Sequence, residues 1–139
     1  VVEEGVLYLE EHTKERTAIQ QLLAQAYDEQ KNYLKCIAIN SNLAGNNRSN
    51  WDVSVPAMNR ATELMWAHGT AAKDGRSKQQ LAYEVAARYI KSSRAAFDEH
   101  KDEMSEIVRT TWKRIDARVM KWEDSGKIQT FAEMEKNNK

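Results

Sequence analysis

The sequence predicts an all-α protein: an elongated bundle of three to four helices, with one very long helix, continuous or bent, near the C-terminus. Three observations carry this. Residues 78–124 hold neither proline nor glycine. Along them Leu81, Val85, Tyr89, Ala96, His100, Met104, Ile107, Thr111, Ile115, Arg118 and Trp122 recur at helical spacing, and Val108, Trp112 and Val119 widen the stripe. The other patterned segments also repeat near 3.6 residues, so at least two-thirds helix and essentially no strand are expected.

The elements follow in order. Residues 1–12 are acidic around Gly5 and read as a flexible end or an extension of the first helix. Residues 13–44 read as one helix, with Ile19, Leu22, Leu23, Ala26, Tyr27, Tyr33, Leu34, Ile37 and Leu43 inward. Gly45-Asn46-Asn47 is a stop, because Gly and Asn tolerate the left-handed conformation that ends helices. After a polar loop over 45–54, Ser54 reads as an N-cap before Val55-Pro56, with proline in the first turn. That helix ends near Gly69, and Lys73-Asp74-Gly75-Arg76 is a turn. Ser77-Lys78-Gln79-Gln80 matches a capping box and is the sharpest boundary in the chain. The long helix ends at Asp124-Ser125-Gly126. A short helix near Phe131 to Glu135 and a polar end follow, with 127–139 expected to be flexible.

Two serines, Ser92-Ser93, can divert backbone hydrogen bonds and bend the long helix there, and uninterrupted continuation is the alternative. Charge bears on the choice. Residues 3–16 carry Glu3, Glu4, Glu10, Glu11 and Glu15 against Lys14 and Arg16, whereas 109–121 carry Arg109, Lys113, Arg114, Arg118 and Lys121 against Asp116. A bend would set these opposite charges on antiparallel helices.

At 139 residues the chain fits a single helical domain, 1–139. Lys plus Arg and Asp plus Glu both number 21, so no net charge draws it to nucleic acid or an anionic surface. Leu, Ile, Val and Phe supply only 25 residues, a thin core for long helices. Such a core implies an elongated shape or burial completed by a partner. No apolar run is long enough to cross a membrane. The chain begins at Val1, not Met, which suggests a processed protein or a fragment of a larger one.

Chemistry-bearing patterns are sparse. The single cysteine, Cys36, reads as a small buried hydrophobe and excludes an internal disulfide. His12, His68 and His100 lie in none of the helical spacings that pair metal ligands. His100 falls on the apolar stripe and reads as a half-buried core histidine. The acids Asp98, Glu99, Asp102, Glu103 and Glu106 read as a solvated face, since acid–base work needs a buried carboxyl with a raised pKa. No nucleophile elbow and no Gly-rich phosphate loop occur. No enzyme signature is present, and no cofactor or metal is expected. Asn47-Arg48-Ser49 matches a glycosylation acceptor in a loop expected to be exposed.

The expected function is therefore non-enzymatic: a structural or adaptor subunit presenting long helical faces to protein partners or to further copies of itself. Trp51, Arg109, Trp112, Arg118 and Trp122 are the candidate partner-binding residues, because tryptophan and arginine dominate interface energetics. Trp51 either packs over the end of the bundle or anchors a partner. One alternative is an extracytoplasmic helical module, either a ligand-sensing bundle or a pilus or secretion-system component. The other is a helical nucleic-acid binder acting through the basic, Trp-containing 109–121 segment, a role made unlikely by the balanced charge.

Overall fold

In a computed structural model the backbone is described for residues 2–137, and the side chains for 14–130, 132–134 and 136. The chain is 80% helical, with no strand among the described residues. Six α-helices appear where the sequence suggested three to four: α1 (Val2–Glu29), α2 (Tyr33–Asn46), α3 (Trp51–His68), α4 (Lys78–His100), α5 (Glu106–Asp124) and α6 (Phe131–Asn137). α3 is central and packs on α2, α4 and α5, whereas α1 joins the rest chiefly through α2. The expected attraction between the acidic 3–16 segment and α5 rests largely on side chains outside the described residues.

The extra helices come from breaks without glycine or proline. The helix expected over 13–44 ends at Glu29 because Lys31 takes a left-handed backbone, φ 58°. Asn32 N–H bonds Tyr27 C=O at 2.9 Å and Lys31 N–H bonds Asp28 C=O at 3.0 Å, which together close a Schellman end. Glycine usually fills that position, so the sequence hid the break. α3 in turn begins three residues before the expected cap. Asn50 precedes Trp51, and Ser54 is fully buried inside the first turns, with Pro56 further along the helix. Asn47, expected in an open loop, instead donates its amide to Leu43 C=O at 2.9 Å.

The helix expected over 78–124 is two helices. Neither the bend at Ser92-Ser93 nor a continuous rod occurs. Both serines donate to Tyr89 C=O and α4 runs on past them to His100. The break is at 101–105. A single 3₁₀ turn, Lys101–Glu103, leads to Met104, whose extended backbone (ψ 148°) turns its side chain into the core. Ser105 then caps α5, accepting from Val108 N–H at 3.3 Å, with Glu106 in the first turn. Arg109 holds the corner by donating to Lys101 C=O (3.0 Å) and Met104 C=O (2.8 Å).

Ser77 caps α4 as the sequence predicts, accepting from Gln80 N–H at 3.0 Å. The reciprocal half of the box is absent. Gln80 instead accepts from Gln129 N–H at 2.9 Å, which ties the segment after α5 to the start of α4. The 127–139 segment, expected to be loose, also buries Ile128 and Met134.

The main core lies among α3, α4, α5 and α6. Most of the expected α5 stripe is buried, namely Val108, Thr111, Trp112, Ile115, Val119 and Trp122. Ile107, which the spacing placed on it, is 74% exposed and Arg118 is half-buried, because both lie at the edge of the buried arc. Two stacked aromatic pairs bind α5 to its neighbours, Phe97 on Trp112 at 4.0 Å and Trp66 on Trp122 at 4.2 Å between ring centroids. Tyr83, fully buried, donates to Glu123 at 2.6 Å. A second, smaller core of Ala24, Leu43, Ala44 and Ala57 joins α1, α2 and α3.

Candidate functional site

The five candidate partner-binding residues are not brought to one surface. Trp112 is 3% exposed, and its indole N–H donates to Ser93 Oγ at 2.9 Å. The serine expected to bend α4 thus satisfies a buried donor on α5. Trp122 is 8% exposed beneath Trp66. Both indoles are covered by the chain's own helices, which leaves a partner only their edges. Trp51 is half-buried against the main core, 6.5 Å from the His100 ring. Arg109 is engaged at the α4–α5 corner.

Arg118 lies mostly buried over the Trp122 ring, 6.0 Å from its centroid, and pairs with Glu63 at 3.3 Å. Burial pulls its pKa down and Glu63 opposes that; a guanidinium keeps its charge at neutral pH regardless. It lines a 750 Å³ groove between α3 and α5 with Arg114, Lys121 and Lys127 on one side of the balance and Glu63 and Asp124 on the other. At 100° per residue, Arg109 and Lys113 fall on a different side of α5 from Arg114, Arg118 and Lys121. The 109–121 segment is therefore two short basic faces, not one stripe that follows a phosphate backbone.

His68, His100 and Cys36 are structurally engaged, and the side chain of His12 lies outside the described residues. His68 stacks on Tyr33 at 3.8 Å. His100 is half-exposed at the end of α4, 3.1 Å from Glu103. No group of three His, Cys, Asp or Glu converges as a metal site among the described residues. The Cys36 thiol is 1% exposed and donates to Ala24 C=O at 3.6 Å. Burial raises its pKa, with Asp28 adding to the rise, so it stays protonated and unreactive at neutral pH.

Two features stand out that, apart from Trp51, the candidate residues did not include. The first is on α1. Ile19, Leu22, Leu23 and Ala26 fall within about 100° of arc on one helix face. The sequence placed this face inward. The structure turns it out: Ile19 is 58% exposed, Leu22 67% and Leu23 42%. α1 docks by its opposite, more polar side. Ala24 is buried, Thr17 reaches Asn47 at 3.4 Å, and Asp28 pairs with Arg60 of α3. These contacts pull α1 onto α2 through small and polar groups, and the apolar stripe is left over.

The second is a 640 Å³ cleft where α2 and α4 both lean on α3. Trp51, Met58 and Tyr89 stand in its walls, and Arg48 and Arg88 at its rim. Burial drives the Tyr89 phenol up to about 12, only weakly opposed by the nearby Ser54 hydroxyl. Neither hydroxyl makes a well-formed hydrogen bond. No sequence spacing links these residues, because three helices contribute them.

No protein-family model matches the sequence, and neither a curated protein nor a solved structure resembles it at a significant level.

Proposed function

We propose that this chain is a non-enzymatic structural or adaptor subunit whose helices, arranged as an elongated bundle, dock onto another protein chain. The observation that carries this reading is the outward stripe of Ile19, Leu22 and Leu23 on α1. Scattered exposed apolar residues are ordinary, but three large aliphatics on one helix face are the pattern by which an amphipathic helix meets another. The stripe sits on a helix joined to the rest of the fold chiefly through α2, so covering it would also stabilise α1. This reading centres the interface on α1 and not on Trp112 or Trp122.

Light scattering at low micromolar concentration, alone and with native extract, tests this. The parent chain should self-associate or retain a partner, and Ile19→Asp/Leu22→Asp should lose that association while keeping its helicity. A parent that stays monomeric and retains nothing would remove the reading. So would a double variant that associates as the parent does.

A further inference from the structure

We propose that the cleft between α2, α3 and α4 binds an amphipathic carboxylate, a small molecule with an apolar body and one anionic head. This site is separate from the α1 stripe, since Ile19, Leu22 and Leu23 do not line it and no other described α1 residue does. The space arises from the packing: α2 and α4 each rest on α3, and the gap between them is not filled by a side chain. At 640 Å³ it is in the range that encloses most of a small ligand.

The walls set the ligand's body. Ile37, Met58, Met65 and Val85 are aliphatic or thioether, and Trp51 and Tyr89 add aromatic faces. Methionines adapt to irregular apolar shapes, which suits a flexible chain or a flat ring equally.

The rim sets the head group. Three serines line the cleft, but each already donates to a carbonyl of its own helix: Ser41 to Ile37, and Ser92 and Ser93 to Tyr89. Among the described residues no carboxylate lines the cleft. Arg48 and Arg88 do, and neither makes an ion pair or side-chain hydrogen bond among the described residues, unlike Arg60, Arg76, Arg94 and Arg118. Two unpaired guanidiniums beside an apolar pocket supply a field of one sign and a fork matched to a carboxylate. A neutral apolar molecule would use the walls alone, and a cation would be repelled at the rim.

The test uses one apolar tail with three heads: dodecanoate, dodecanol and dodecyltrimethylammonium. Each is titrated into the full chain by calorimetry, with tryptophan fluorescence as a second readout. Dodecanoate should saturate one site per chain and bind about tenfold tighter than dodecanol, the order expected of two partly solvated charge-assisted contacts. The ammonium should bind weakest. Arg48→Gln/Arg88→Gln should bring dodecanoate down to the level of dodecanol. Gly45→Phe should abolish binding of both, because a side chain grown from Gly45, at the cleft wall, meets nothing within 4 Å and projects into open space. The arginine variant changes only exposed residues, so it remains informative if Gly45→Phe does not fold. Equal binding by the three heads, an arginine variant within twofold of the parent, or no saturable binding of dodecanoate would each overturn the proposal.

Discussion

The α1–α2 pair and the α3–α5 core are built from the same kind of helix but held by different forces. Around α5, stacked aromatic pairs and buried aliphatics interlock, and Trp112 finds both a ring partner and a hydrogen-bond acceptor. Beneath α1 the buried residues are Ala24, Leu43, Ala44 and Ala57, with a thiol and an asparagine beside them. Alanine brings backbones close but removes little area from water, and burial scales at about 25 cal/mol per Å². The comparison teaches that an amphipathic helix docks by whichever face completes its neighbours' contacts. On α5 that face is the apolar one; on α1 it is not.

Substitutions can break or sharpen this contrast. The largest effect should come from Trp112→Ala, which removes a stacked, hydrogen-bonded indole and strands the space around it. A loss of about 3–5 kcal/mol is expected in denaturant melts. In the dissociated chain Leu22→Ala should stay within about 0.5 kcal/mol, because there its side chain is already in water. Comparable losses at the two positions would erase the distinction between the regions.

Ser77→Ala should cost about 1 kcal/mol, by orphaning Gln80 N–H at the start of α4. A melt identical to the parent's would mean that this cap does not help anchor the core. The smallest effect is expected at the α1–α2 corner. Lys31→Gly relieves a side chain at φ 58° and should gain about 0.5 kcal/mol, the left-handed penalty partly offset by the freer unfolded chain. A destabilised Lys31→Gly would show that Lys31 contributes more through its side chain than it costs through its backbone.

The start of α4, the end of α5 and most of the α5 face were legible. Ser77 caps where the pattern begins, Gly126 stands just past the end at φ 71°, and the α5 stripe is buried except at its edge, where Ile107 faces water. The α4 face was displaced: Leu81, Val85, Tyr89 and Ala96, expected inward, are half-buried, and Tyr83, Ala86, Ile90 and Phe97 fill the core instead. The breaks were less so. Met104-Ser105-Glu106 does hold a start signal, a serine before an acid in the first turn, but an unbroken apolar stripe outweighed it. Lys31 carries no signal, since nothing in lysine favours a left-handed turn. The cleft was illegible for a different reason: Ile37, Arg48, Trp51 and Arg88 belong to segments that meet only in space.

By itself the sequence determined that the protein is helical, that α4 is capped at Ser77, that the pattern ends with α5 near Gly126, and which side of α5 holds most of its buried residues. These are local properties, set by spacing, by capping side chains and by the partition of each side chain between water and apolar surroundings. Only the tertiary structure decided that Ser93 serves Trp112, that Gln80 reaches Gln129, that the apolar stripe of α1 faces outward, and that α2 and α4 leave a cleft between them. Each of these depends on which two surfaces pack best against a third, a choice made among all the helices at once, and no periodicity within one helix records its outcome.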